Sequence, residues 1–145
     1  MNLFHDADRR KILERIQSLG EESPRLWGSM SLPQALAHMR GQLELAVGER
    51  KVARVPFPRI PGLSYLIVHH LPFPKGAPTA PELLTSDPAD LETERRLLLG
   101  AIEKAATHGP EGSFEPHPAF GRLSGKSWGV LMARHLDHHL RQFSV

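Results

Sequence analysis

Apolar residues recur at three- and four-residue intervals in four stretches of the chain, the spacing that gathers them on one face of an α-helix. The first stretch, roughly Asp6 to Leu19, puts Ile12, Leu13, Ile16 and Leu19 on one stripe and meets Gly20 as a helix stop. The second opens at Ser31, where Ser31 and Gln34 form a capping-box pattern and Pro33 falls in the first turn. Its stripe is Leu32, Leu36, Met39, Leu43 and Val47, with Gly48 as its end. The third is expected to start at Asp87-Pro88, an N-cap followed by proline, and carries Leu91, Leu97, Leu98, Ile102 and Ala105 as far as His108-Gly109-Pro110. The fourth runs from near Ser124 to about Phe143.

The links between these helices differ in length. The first and last are somewhat longer than bundle loops usually are, at roughly ten residues or more. The middle one covers nearly forty residues and holds seven of the thirteen prolines, between Pro56 and Pro81. A short link makes neighbouring helices antiparallel, whereas a long one permits a crossover that leaves them parallel. The pattern therefore predicts an all-α four-helix bundle, up-down-down-up, with the long crossover between the second and third helices. The whole of residues 1–145 is read as one domain. Within the crossover, Gly62 to Leu71 is apolar enough to be buried as a short helix. Padding of one flank of the bundle is its ordinary role; a pocket roof or a dimer interface is the alternative.

Composition narrows the function classes. Hydrophobic residues make up 40% and charged ones 23%, an ordinary globular balance, and the formal net charge is only +2. Basic and acidic residues are interspersed, so the basic face of a nucleic-acid binder is not expected. No run approaches the roughly 20 apolar residues of a membrane span, and charges arrive early in MNLFHDADRRK, so neither membrane insertion nor a signal peptide is expected and a cytoplasmic location is the default. The absence of cysteine removes disulfides, thiol nucleophiles and thiolate ligands.

Nine histidines are more informative, because His135, His138 and His139 fall within the closing helix. At about 100° per residue, His135 and His139 lie one turn apart and only about 40° from each other around the axis, with Trp128 nearly in line and Met132 and Gln142 beside them. That stripe faces the core. Two imidazoles at i and i+4 can chelate one ion. A hydrogen-bonded core pair is the competing reading, although burying two unsatisfied imidazoles is costly. His38, on the second helix with Ala35, Gln42 and Leu45 on its stripe, is the candidate for a third ligand from a facing helix. His138 lies nearer the direction of Arg134 and Arg141, at a boundary, and Asp137 points away from the pair. Leu136 follows His135 where a zinc protease would have glutamate, so the H-E-x-x-H mechanism does not apply. His5, His69, His70, His108 and His117 sit in loops or near helix ends. Arg40, Arg134 and Arg141 could bind a carboxylate, but solvated surface is the commoner fate of such residues.

The pairing of LPQALAHMRGQLE with a closing HLDHHLRQF resembles the DinB/YfiT-like superfamily. The longer strings LWGSMSLPQALAHM and HPAFGRLSGKSWGVLMARHLDHHLRQF look like an uncharacterised branch of it. The likeness spans nearly the whole chain, with the Pro-rich middle the least distinctive part. It implies an up-down-down-up bundle, often dimeric, holding a divalent metal through three histidines. Those positions match His38, His135 and His139 here, while His138 matches an adjacent histidine that is not usually a ligand. Characterised members include thiol-dependent S-transferases and a thiol-dependent isomerase. With no cysteine in this chain, a low-molecular-weight thiol would have to arrive as a cosubstrate.

These readings converge on one divalent ion, zinc or nickel ahead of iron or copper, with His38, His135 and His139 as ligands. Gln42, His138 and His117 are candidates for neighbouring or pocket roles, His117 also for a simple turn before the last helix. The expected function is a metal-dependent transferase or hydrolase acting on a small molecule. The alternative is a non-catalytic metal-binding or stress-related bundle whose ion serves stability or sensing.

Overall fold

The computed structural model describes residues 1–58, 60–76 and 79–145. Among the described residues five α-helices form: α1 (Asp6–Ser18), α2 (Leu32–Ala46), α3 (Leu63–His69), α4 (Leu91–His108) and α5 (Gly125–Gln142), with a 3-10 turn at Pro81–Leu83. Among the described residues there is no strand, only an isolated bridge between His117 and Gly121. Four of the five helices correspond to the four periodic stretches. The short α3 falls inside the Gly62–Leu71 segment, and Pro78 of the Pro-rich stretch lies outside the described residues.

Local chemistry explains most boundaries. At α2, the Ser31 hydroxyl accepts from the Gln34 amide and the Gln34 side chain accepts from the Ser31 amide, closing the capping box. Gly48, at φ +82°, takes the chain out of the helix in the left-handed region. The expected start of α4 at Asp87 is corrected by three residues. Asp90 is the N-cap, because its carboxylate accepts from both the amide and the hydroxyl of Thr93. α1 does end just before Gly20, but without a left-handed glycine cap: Leu19 turns extended, at φ −63° and ψ 139°.

The core is apolar and shared by all five helices. Ile12 and Ile16 of α1 share one buried cluster with Leu36, Met39 and Leu43 of α2, Val68 of α3, Leu98 and Ile102 of α4, and Trp128, Met132, Leu136 and Leu140 of α5. Burying side chains of this size contributes roughly 1.5–3 kcal/mol each before the opposing chain entropy. Leu97, expected on the inner stripe of α4, is exposed instead; the buried line is Glu94, Leu98, Ile102 and Ala105.

Polar pairs set the register. Arg40 donates to Glu94, and Lys104 pairs with Glu49 beyond the end of α2, so contacts advance together along α2 and α4. Leu3 bonds Gly129, and Arg15 bonds both Asp137 and the Val145 carbonyl, so contacts also advance together along α1 and α5. Between α2 and α5 the order reverses. His38 meets His135, while Glu115 bonds the Ala46 carbonyl and accepts from Trp128 Nε1.

The helix α3 packs on α5. Arg134 of α5 donates to the carbonyls of Ile67 and Val68, which the short helix leaves unpaired at its C-terminal end, and to that of Leu71 just beyond it. Val68 is fully buried, while Tyr65 and Leu66 face outward. No helix among the described residues is long and apolar enough to cross a membrane.

Candidate metal centre

His38 on α2 and the i, i+4 pair His135 and His139 on α5 come together in the interior. Their ring centroids form a nearly equilateral triangle, 4.8 Å from His38 to each of the others and 4.7 Å between His135 and His139. One ligand nitrogen from each lies within 4.8 Å of the other two. His38 and His139 are buried, at 4% and 7% exposure, and only His135 keeps partial exposure.

The outer nitrogens of two rings are fixed by acceptors. His38 Nδ1 lies 3.1 Å from the Leu83 carbonyl oxygen, which can only accept, so Nδ1 carries the proton and Nε2 is a lone pair. Gln142 donates through Nε2 to the Trp27 carbonyl at 2.8 Å, which turns its Oε1 toward His139 Nδ1 at 2.9 Å. His139 Nδ1 therefore also carries a proton, and its Nε2 is free. His135 Nε2 stands 3.0 Å from His38 Nε2, and its Nδ1 is enclosed with no partner.

Two inward lone pairs thus face at most one inward N–H, which only His135 can supply. One lone pair is left over in a buried setting, a costly arrangement that a cation relieves. The separation suits one: ligands held about 2.0–2.1 Å from an ion at angles near 90–110° stand about 3 Å apart. The residues present fit a divalent metal. All three imidazoles are also held in the neutral form that ligation needs. Burial lowers the pKa of His38 against the pull of the Leu83 carbonyl. Burial, then the neighbouring imidazoles, takes His135 well below its ordinary value. Burial, then His38, pushes His139 down to about 3, against the Gln142 hydrogen bond.

The elements around the triad supply its supports. The Leu83 carbonyl is presented by the 3-10 turn, which is tied down by Arg50 donating to the Glu82 carbonyl and Gln34 donating to that of Thr85. Part of the long connection therefore builds the centre. Gln142 is held by the loop before α2, whose Leu26 amide bonds the Gln142 carbonyl. Gly28 in that loop has φ +76°, and a Cβ on it would lie 2.5 Å from Gln142 Nε2. A glycine is needed there on both counts.

The other candidate residues fall outside the triad. His138 is half-buried between the edges of Trp27 and Phe73, with its centroid 5.1 Å from that of His139. Lys75 lies over the Trp27 ring at 4.3 Å. His117 makes a turn: its Nδ1 accepts from the amides of Ala119 and Phe120, and its ring stacks on Phe120. Gln42 is buried, but its Oε1 has no partner. Asp137 is held by Arg15 and Arg141. The three arginines named as carboxylate binders are engaged within the protein: Arg40 with Glu44 and Glu94, Arg134 with the α3 carbonyls and Arg141 with Asp137. Sequence reasoning did not assign a role to Gln142, although it placed that residue beside the pair. The Leu83 and Trp27 carbonyls leave no trace in side-chain identity.

Residues 67–145, more than half of the chain, match a family described as "Protein of unknown function (DUF1569)". The chain belongs to that family. The DUF1569 match takes in His117, His135, His138 and His139 but begins after His38, and the family description names no activity. No curated protein and no solved structure matches the chain.

Proposed function

We propose that His38, His135 and His139 bind one divalent metal ion through three neutral imidazole nitrogens, and that the protein is a metal-dependent enzyme acting on a small molecule. The observation that carries this reading is the convergence of three imidazoles whose outer nitrogens are committed elsewhere or enclosed, leaving lone pairs with too few protons to satisfy them. Three protein ligands, with no fourth carboxylate or imidazole in the cluster among the described residues, is the arrangement of catalytic rather than structural zinc. A bound divalent ion supplies Lewis acidity there, lowering the pKa of a water or thiol that reaches it. The chain's own contribution is to hold the imidazoles neutral and to orient His38 and His139 through Leu83 and Gln142.

The resemblance to the DinB/YfiT-like superfamily supports thiol transfer or hydrolysis as the reaction class, with the thiol as cosubstrate. It also supports a single up-down-down-up domain made by α1, α2, α4 and α5. The ascending contacts between α2 and α4 and between α1 and α5, and the descending ones between α2 and α5, fit that arrangement.

A second reading, a non-catalytic metal-binding bundle, draws on the surface grooves. One of about 730 Å³ is lined by residues such as Phe57, Ile60 and Phe120, and another of about 410 Å³ by Met1, His69 and Arg134; neither is lined by a triad histidine. Titrating zinc into chelator-stripped protein tests the shared claim. One saturable site is expected, weakened about a hundredfold or more by His139→Ala; an unchanged affinity sinks both readings. Offering the zinc-loaded protein small thiols with electrophilic acceptors then separates the two. Zinc-dependent turnover lost in His135→Ala supports the enzyme, and its absence across the panel supports the second reading.

A further inference from the structure

The carbonyl that fixes the His38 ring belongs to a turn with little to hold it by itself. Pro81–Leu83 is a single 3-10 turn, too short to bury an apolar face, and Pro81, Glu82 and Leu84 are exposed. Its bonds to α2 and the residues just after α2 therefore decide where the Leu83 carbonyl stands. Arg50 makes one of them: Nη1 donates at 3.0 Å to the carbonyl of Glu82, the residue before Leu83. The same guanidinium is anchored on α2, with Nε 2.9 Å and Nη2 2.7 Å from Glu44 Oε2. Contacts thus run out from Glu44 through Arg50 to the Glu82–Leu83 peptide. They return to α2 over the 3.1 Å from Leu83 O to His38 Nδ1.

Two glycines make this circuit possible. Gly48, at φ +82°, turns the chain back after α2, and the Arg50 amide bonds the Glu44 carbonyl at 3.2 Å, which lays Arg50 against the helix it has just left. Gly41 lies buried inside α2, where glycine weakens a helix more than any residue but proline. A Cβ on it would stand 3.3 Å from Leu83 Cδ2 and 3.4 Å from Arg50 Nε. The bare backbone lets Leu83 and Arg50 seat at one point of α2, about a turn from His38.

We propose that Arg50 is a positioning residue of the metal centre, holding the Glu82–Leu83 turn so that the Leu83 carbonyl accepts from His38 Nδ1 and keeps Nε2 facing His135. This rests on the metal-binding reading above. An acceptor behind a ligating imidazole fixes its ring and raises its basicity, so a displaced acceptor costs affinity. The coupling is reciprocal: a turn that favours the ion is favoured by the ion to the same factor. Metal occupancy is thereby felt at the end of the Pro-rich connection.

Arg50 can be removed without stranding a charge. Glu44 keeps Arg40, 2.6 Å away, and the bond to the Glu82 carbonyl lies at the surface, where water replaces the guanidinium. Arg50→Met keeps much of the side-chain length and loses every donor. Zinc affinity is measured by chelator competition, and the stability of chelator-stripped protein by its urea midpoint. The turn is followed by hydrogen exchange of the Leu83 and Leu84 amides, which bond the Ala80 and Pro81 carbonyls. Arg50→Met is expected to bind zinc about tenfold more weakly, the lower end for lost support behind a ligand, because Gln34 still bonds the Thr85 carbonyl. Its stripped midpoint should match that of the wild type. Zinc should slow exchange of both amides in the wild type and slow it less in the variant. Should Arg50→Met bind zinc as tightly as the wild type while His139→Ala binds it weakly, this inference fails and the metal centre stands. Should the wild type bind no zinc, or His139→Ala bind it unchanged, the reading beneath it fails instead. A fall in both affinity and stripped midpoint would assign Arg50 to general packing and overturn the proposal. So would weaker binding with the two amides slowed as in the wild type.

Discussion

Gly28 lies directly against Gln142: a Cβ at Gly28 would stand 2.5 Å from the Gln142 amide nitrogen, which donates to the neighbouring Trp27 carbonyl. The contact links the loop before α2 to the orientation of His139, because the other end of the same amide accepts from His139 Nδ1 at 2.9 Å. A backbone glycine far from α5 in sequence thereby controls which way one imidazole faces.

Gly28→Ala should therefore act twice. The φ of +76° strains any L side chain, and the added methyl displaces Gln142. A loss of about 1–2 kcal/mol in unfolding free energy is expected from the backbone and the broken hydrogen bond together. Zinc affinity should fall about 10–100-fold through the freed His139 ring. Denaturant melts and chelator competition measure the two effects, and wild-type values in both would contradict the assignment.

Arg40 holds Glu94, a carboxylate only 3% exposed, through two nitrogens, at 3.3 Å and 3.1 Å. Arg40→Ala leaves that charge buried with, among the described residues, the Ala89 amide as its remaining partner. A destabilisation of about 3 kcal/mol is expected, the range seen when one member of a buried pair is removed. Double substitution with Glu94→Gln should recover part of it. Additive losses in the double variant would show that the pair is not coupled.

Acid should weaken the metal-free fold well before carboxylates titrate. Burial pushes His117 down to about 4 from an ordinary 6.5. Between those values the unfolded chain binds a proton that the folded one excludes, so folding stability falls as pH falls. The loss starts near 6.5, where the unfolded histidine begins to charge, and is complete near 4; above that window both states are neutral and nothing changes. His38, His135 and His139 shift in the same direction and steepen the slope. The urea midpoint of chelator-stripped protein should drop steadily from pH 7 to pH 4, and a flat midpoint across that interval would contradict the neutral burial of these rings.

What could be read from the sequence was governed by range. The capping box at Ser31 and Gln34 is a local device, complete within four residues, and the structure contains it as spelled. The inward stripe with Trp128, His135 and His139 follows from helix periodicity alone. The start of α4 was placed at Asp87-Pro88, three residues early; Asp90 is the N-cap because Thr93 bonds its carboxylate by two groups. The meeting of His38 with His135 spans 97 positions, and no local pattern encodes it. Resemblance of short strings pointed to that pairing, whereas the acceptors behind the rings are backbone carbonyls at Leu83 and Trp27, reached directly or through Gln142, which side-chain identity does not reveal.

The most direct test of the metal centre is the metal content of the protein purified without added metal, compared with His135→Ala and His139→Ala after circular dichroism has established equal helicity. The account predicts about one divalent ion per chain in the wild type and next to none in either variant. Equal metal content in all three proteins would contradict it.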